Sequence, residues 1–125
     1  MNNEFNGKLI SDVNGLEKGS EVVVITFRDG STFRMWHSQD CCESVSIVDI
    51  DSVNNIEGAI WYGFEESTRS ATGDECSDDS GTWTFYTLHT SAGYVWIRWL
   101  GESNGYYSED VSTCYCEAGE TRSRW

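Results

Sequence analysis

The segment EVVVITFRDGSTFRMW, Glu21–Trp36, decides the fold class of this chain. Its first half contains the β-branched run Val22–Ile25, which is too short for a buried helix and typical of a strand. The pair Asp29-Gly30 favours a tight turn, and Ser31–Trp36 supplies the returning strand. The segment therefore predicts an antiparallel β-hairpin that carries His37 at its rim.

Further runs of strand-like sequence lie on both sides of this hairpin. Alternation of apolar and polar residues, or clustered aromatic residues, marks each of them. The predicted strands are Lys8–Val13, Ser44–Ile50, Ala59–Glu65, Thr82–Thr90, Tyr94–Leu100 and Tyr106–Tyr115. A short helix is also predicted, capped by Asp51-Ser52, running through Val53–Ile56 and ending at Gly58. We expect a mainly β fold, an antiparallel sheet forming a sandwich or partly closed barrel with at most one or two short helices.

The strand Tyr94–Leu100 is expected to lie in the middle of a sheet. It carries bulky side chains at successive positions, including Val95, Trp96, Ile97 and Trp99. Because successive side chains of a strand point to opposite faces, this pattern predicts that both faces of the strand are covered.

The length of 125 residues predicts one domain, residues 1–125. Glu66–Gly81 is rich in acidic and small polar residues without periodicity, and is interpreted as an acidic mobile loop. Residues 117–125 form a polar tail. The sequence has no apolar run of membrane-spanning length and no basic stretch leading into an apolar one. We therefore expect a soluble protein that does not associate with membranes.

The formal net charge of −13 restricts the possible partners. Nucleic-acid binding depends on lysine and arginine neutralising phosphates, so direct recognition of DNA or RNA is not expected. An acidic surface favours encounter with a basic protein surface, although acidity can also serve solubility alone. The candidate contact residues are Asp74–Asp79, Glu65, Glu66, Glu102, Glu109 and Asp110.

The segment from His37 to Glu43, HSQDCCE, concentrates metal-binding side chains. His37 can share one ion with Cys41, four positions later, or with Cys42. A C-x-C pair near the end of the chain would place both thiols on one strand face. Without a secretory signal, an odd number of cysteines favours metal binding or free thiols over disulfides. The predicted zinc ligands are His37, Cys41, Cys42, Cys114 and Cys116, with Cys76 left over. The alternative is a core histidine among inert, buried thiols.

Three stretches carry a resemblance to a known family: His37–Val45, Trp83–Tyr86 and Arg98–Ser108. They resemble a domain family of unknown function found in phage and prophage proteins, over about Leu9–Val111. The resemblance implies a phage or prophage source, and with it the cytoplasm of the bacterial host as the location, and supplies no established enzyme activity. Similar members lie among candidate anti-defence genes, and a small acidic zinc-containing protein of this description inhibits a type II CRISPR effector nuclease.

The family motif reaches His37, Cys41 and Cys42 but not the remaining cysteines. Cys114 and Cys116 therefore complete the predicted zinc site, or another residue does so.

The leading functional hypothesis is a phage-encoded inhibitor, without enzymatic activity, of a basic host defence protein. The most specific form is an anti-CRISPR protein that binds a type II effector nuclease and blocks DNA loading, with a structural zinc site. One alternative is a metal-dependent enzyme using His37, Asp40 and Glu43, which lacks a recognised catalytic signature such as H-E-x-x-H. Others are a reactive thiol at Cys41 or Cys42 and a structural or assembly protein of the phage.

Overall fold

The computed structural model describes residues 4–38, 43–52, 55–71, 80–103 and 109–117. Within these ranges the chain forms eight β-strands and no helix, which confirms the mainly β prediction. The strands are β1 (Ile10–Asn14), β2 (Val22–Phe27), β3 (Thr32–Trp36), β4 (Ser44–Ser52), β5 (Trp61–Ala71), β6 (Ser80–Thr90), β7 (Gly93–Ser103) and β8 (Ser112–Cys116). No described segment is a helix long and apolar enough to cross a membrane.

The strands form two four-stranded antiparallel sheets that do not close into a barrel. The first sheet has the order β1-β2-β3-β8, and the second has the order β4-β7-β6-β5. Backbone hydrogen bonds join the sheets at one side, where the Lys8 carbonyl accepts from the Trp61 amide and the Ala59 carbonyl accepts from the Ile10 amide. The architecture is therefore a β-sandwich whose two sheets are hydrogen-bonded to each other at one side.

The hairpin predicted from Glu21–Trp36 is present as β2 and β3, with Val23 opposite Met35 and Ile25 opposite Phe33. The turn depends on Asp29, whose carboxylate accepts a hydrogen bond of 2.9 Å from the Ser31 amide. Lys8 forms an ion pair with the same carboxylate. The Lys8 ammonium and the Ser31 donors lower the pKa of Asp29 well below its usual range.

An aromatic cluster between the sheets forms the centre of the core. Phe33 lies with its ring centroid 4.9 Å from that of Trp61, 4.8 Å from that of Phe64 and 5.0 Å from that of Tyr115. Trp61 is fully buried, and its indole N–H donates to the Tyr115 hydroxyl at 3.3 Å. Each large apolar side chain buried in this way contributes about 1.5–3 kcal/mol of transfer free energy.

The helix predicted after residue 50 is not found in the described residues. Asp51 and Ser52 belong to β4, where they pair with Trp96 and Val95 of β7. Residues 57 and 58 form a turn in which the Ala59 amide donates to the Ile56 carbonyl, and Gly58 has a φ of 87°. Residues 53 and 54 lie outside the described part of the chain. Asp51 and Ser52 do not cap a helix here, because the ladder between β4 and β7 continues through both residues.

The predicted loop Glu66–Gly81 includes residues that belong to strands β5 and β6. Strand β5 continues to Ala71 and β6 begins at Ser80, with pairs from Glu66 and Tyr86 to Ala71 and Gly81. Residues 72–79, which include Cys76, lie outside the described part. Polar residues fill this half of β5, so the sequence lacks the apolar alternation that marks a strand.

The end of the chain also differs from prediction. The last strand is Ser112–Cys116 instead of Tyr106–Tyr115, and residues 104–108 lie outside the described part. Of the predicted polar tail, only residue 117 is described, and it is exposed.

The strands of the two sheets differ in length. Strands β5, β6 and β7 each have 11 residues, whereas those of the first sheet have five or six. At the far end of β5, Thr68 is exposed, although its partner Thr84 on β6 is buried. The second sheet therefore extends past the apolar core.

Candidate functional site

His37 lies one residue beyond β3 and is buried, with both ring nitrogens engaged. Its Nδ1 is 2.7 Å from the carbonyl oxygen of Asp110, and its Nε2 is 2.7 Å from Oε2 of Glu43. A carbonyl can only accept, so Nδ1 carries a proton. The contact between Nε2 and the carboxyl group then requires a second proton on one of those two groups. The pair therefore forms either an ion pair or a neutral hydrogen-bonded pair.

This contact is almost closed to solvent. The side chain of His37 is 4% exposed and that of Glu43 is 0% exposed. The contact ties the end of β3 to the start of β4 and to the segment that leads into β8. In the described structure this arrangement stabilises the packing of three chain segments.

The C-x-C pair lies on β8, with the Sγ atoms of Cys114 and Cys116 3.1 Å apart. Cys114 is opposite Arg34 and Cys116 is opposite Thr32 in the β3 ladder, whereas Tyr115 between them packs into the core. Both thiols therefore lie on the outer side of the first sheet.

His37 continues the inward alternation of Phe33 and Met35. The structure thus brings Cys114 and Cys116 together and places His37 on the other side of the same sheet. Among the described residues, no three histidine, cysteine or acidic side chains converge as a metal site would require. The predicted ligands Cys41 and Cys42, with Asp40, lie outside the described part. Zinc binding by this chain stays a prediction.

Glu109, predicted as a surface contact residue, is buried instead. Its carboxylate accepts hydrogen bonds from the hydroxyls of Ser103 and Thr82, the latter at 2.8 Å. Its backbone lies against Gly101, where an added Cβ would come within 2.5 Å of the Glu109 carbonyl oxygen. The segment before β8 is therefore seated on the polar end of β6 and β7.

The remaining described acidic candidates do not form one contact face. Glu65 accepts from His89 at 2.9 Å, whereas Glu66 accepts from the hydroxyl of Tyr86 on the opposite side of β5. Burial and the Glu66 carboxylate both raise the pKa of Tyr86. Glu102 lies near the end of β7, opposite Ser44 of β4 and Gly81 of β6.

The solvent side of the second sheet, hereafter the outer face, is rich in aromatic side chains. It is defined by Trp83, Phe85, Tyr94, Trp96 and Arg98, which lie on the central strands β6 and β7. Trp96 is 43% exposed and Tyr94 is 48% exposed. The prediction that β7 is central is confirmed, but the prediction that both its faces are covered is wrong within the described residues.

Two arginines lie among these rings. The guanidinium of Arg98 is 5.1 Å from the ring centroid of Trp83, and that of Arg69 is 5.9 Å from the same ring. Trp83 and Phe85 are stacked with centroids 6.3 Å apart. The outer face is therefore an aromatic platform that already holds cations.

Sequence reasoning missed the outer face because alternation cannot tell which side of a two-sided apolar strand is covered. One signal was present. Arg98 and Trp96 occupy the same face of β7, and a charged residue within an aromatic row indicates a solvent-facing side.

Comparison with known proteins assigns the chain to a family. Residues 3–113 match a domain of unknown function, DUF7448. The chain belongs to the DUF7448 family. The match confirms the predicted resemblance to a family of unknown function. No curated protein and no solved structure matches the chain.

The DUF7448 region includes His37 and the whole outer face, and it ends before Cys114. The predicted metal ligands are thus divided between the family region and the residues that follow it.

Proposed function

We propose that this DUF7448 protein is a binding protein without catalytic activity that docks on a basic surface of a partner macromolecule. The observation that carries the proposal is the outer face, where Tyr94 and Trp96 are nearly half exposed on β7, a central strand of the sheet with the longer strands. Exposed aromatic side chains on a rigid sheet are typical of protein-binding surfaces.

Charge supports the choice of a basic partner. The chain carries 21 acidic and 8 basic residues, giving its net charge of −13. Such a molecule is steered towards positive surfaces and repelled by nucleic acid. A protein groove that binds DNA or RNA is a positive surface of this kind.

The more specific proposal is inhibition of a host defence protein, with a type II CRISPR effector nuclease as the target. The acidic protein would compete with DNA for the effector's positively charged channel. The support is the net charge and the sequence resemblance, and a structural zinc site belongs to the same proposal.

The buried carboxyl groups favour a binding role over a metal-dependent enzyme. Glu43 and His37 are hydrogen-bonded to each other and nearly closed to solvent, and Glu109 is held by two hydroxyls. A general base must reach the substrate proton, which these side chains cannot do in this packing.

The test is calorimetric titration of the protein into a purified type II effector, with and without guide RNA, at about 50 and 500 mM salt. We expect binding that weakens with salt and is displaced by target DNA. Affinity unchanged by salt and by DNA would contradict competition for a nucleic-acid channel. Absence of binding would remove this effector as the target.

The alternative of a phage assembly protein predicts a defined oligomer. Sedimentation equilibrium of the purified protein distinguishes it, since the proposed inhibitor needs no self-association.

A further inference from the structure

The outer face and the neighbouring strand β4 together form one complete cation site. Arg98 on β7 lies between Phe85 of β6 and Asp49 of β4 in the strand register. Its guanidinium donates to the Asp49 carboxylate at 3.2 Å and lies over the ring of Trp83. A ring of β6, one row away opposite Leu100, and a carboxylate of β4 in the same row therefore hold the guanidinium group of Arg98.

The adjacent row of cross-strand neighbours also contains an aromatic ring and a carboxylate. Trp96, two residues before Arg98 on β7, lies opposite Asp51 of β4 and Thr87 of β6. Asp51 is exposed, and no hydrogen bond or ion pair joins it to the described residues. This second row therefore offers an aromatic ring and a carboxylate, while the described chain places no cation between them.

A shallow pocket of about 250 Å³ lies between the two rows. Phe85 and Thr87 line it on β6, Trp96 and Arg98 on β7, and Asp49 and Asp51 on β4. Arg98 adds a positive charge to the wall and pairs with Asp49 at 3.2 Å, and the exposed Lys18 lies 3.9 Å from the other oxygen of Asp49. The Asp49 carboxylate is thus already paired, and that of Asp51 remains to attract a cation.

We propose that this pocket binds an arginine side chain from a basic segment of a partner protein. The guanidinium stacks on Trp96 and pairs with Asp51, as Arg98 stacks on Trp83 and pairs with Asp49. Arginine fits better than lysine because its planar guanidinium can stack on an indole and pair with a carboxylate at once. The inference rests on the proposed function and names the contact through which the basic partner is recognised.

The test uses fluorescein-labelled hexa-arginine and a hexa-citrulline peptide, which keeps the shape of the side chains but lacks the charge. Binding is measured by fluorescence anisotropy for the wild type, Trp96→Ala and Asp51→Asn. Two matched controls are Tyr62→Ala, which removes an aromatic side chain that does not line the pocket, and Glu21→Gln, which removes an exposed carboxylate elsewhere. Thermal melting establishes that each variant is folded.

We expect each pocket variant to weaken hexa-arginine binding about threefold to fivefold, and each control to change it less than about twofold. The citrulline peptide should bind much more weakly than hexa-arginine. Equal losses for Asp51→Asn and Glu21→Gln would show attraction by net charge alone and overturn the pocket. Equal affinity for both peptides, or tighter binding of a short single-stranded oligothymidine, would also overturn it.

The same variants separate this inference from the proposed function. If a type II effector binds the wild type and both pocket variants equally, the inhibitor proposal stands and the arginine pocket fails. If hexa-arginine binding depends on the pocket but the effector does not bind, the pocket stands and the proposed target is wrong.

Discussion

His37 and Glu43 show how a residue predicted to bind metal is used in the described fold. The imidazole bridges the Asp110 carbonyl and the Glu43 carboxyl group at 2.7 Å each. A histidine with both nitrogens engaged stabilises the packing whether or not an ion is bound elsewhere in the motif. The structural role can therefore be measured in metal-free protein.

We expect His37→Ala to lower the free energy of unfolding by about 2–4 kcal/mol, because it removes a buried partner of a carboxyl group. The measurement is urea denaturation after exhaustive chelation. His89→Ala is the control, since His89 contacts the exposed Glu65 and should cost about 1 kcal/mol or less. If the cost of His37→Ala vanishes once metal is removed, the histidine acts as a metal ligand instead.

Tyr115 provides a pH-dependent contribution to stability. Burial raises its pKa from 10.0 to about 12, an effect partly offset by the hydrogen bond from Trp61. A phenol with a raised folded-state pKa contributes stability that is complete below pH 10, its value when unfolded. That contribution is lost as the pH rises from 10 through about 12.

We therefore expect Tyr115→Phe to unfold with a weaker pH dependence than the wild type above pH 10. At neutral pH the variant should lose about 0.5–1.5 kcal/mol, because the Trp61 indole loses its acceptor. Thermal melts across the alkaline range measure both effects, with Tyr62→Phe as an exposed control. The assignment is wrong if both variants retain the wild-type alkaline slope.

At the scale of elements, β7 packs closely against the segment before β8 at Gly101. A methyl group there would lie 2.5 Å from the Glu109 carbonyl oxygen and 2.7 Å from the Glu109 Cβ. We expect Gly101→Ala to lower the free energy of unfolding by about 1–3 kcal/mol, because the segment must move to relieve the contact.

Chemical denaturation measures this cost. Ser44→Ala, an exposed substitution at the same end of the second sheet, should stay within about 0.5 kcal/mol of the wild type. Equal stabilities for Gly101→Ala and the wild type would mean that Glu109 does not pack against β7 as described.

The elements themselves were predictable where the signal was local. The β2–β3 hairpin follows from a β-branched run and an Asp-Gly turn, both of which act within a few residues. The second half of β5 was not predictable, because its polar residues are held by pairing with β6 and not by an apolar face. Backbone pairing of this kind leaves no periodic pattern in the sequence.

The buried polar contacts of His37 and Glu109 join residues that no local sequence pattern connects. His37 reaches the Asp110 carbonyl across 73 positions, and Thr82 reaches Glu109 across 27. The sequence identified His37 and Glu43 as chemically notable but could not show that they satisfy each other. It also could not show that Cys114 and Cys116 lie on the side of the first sheet opposite to His37.

At the scale of the whole molecule, the two sheets differ in what they contribute. The first sheet and the inner side of the second form the core around Trp61 and Phe33. The outer face of the second sheet presents rings and carboxylates to solvent. In the proposed binding, the overall charge of −13 would attract a basic partner over distance and the outer face would form the contact.

The measurement that tests this assignment most directly is an NMR titration of protein labelled with ¹⁵N at the tryptophan indoles, using hexa-arginine as the basic ligand. Six tryptophans report on different parts of the chain. We predict that the Trp96 signal shifts most and Trp83 less, while the buried Trp61 and Trp99 stay unchanged. The largest shift at Trp36, on the outer side of the first sheet, or no shift at Trp96, would contradict the outer face as the binding surface.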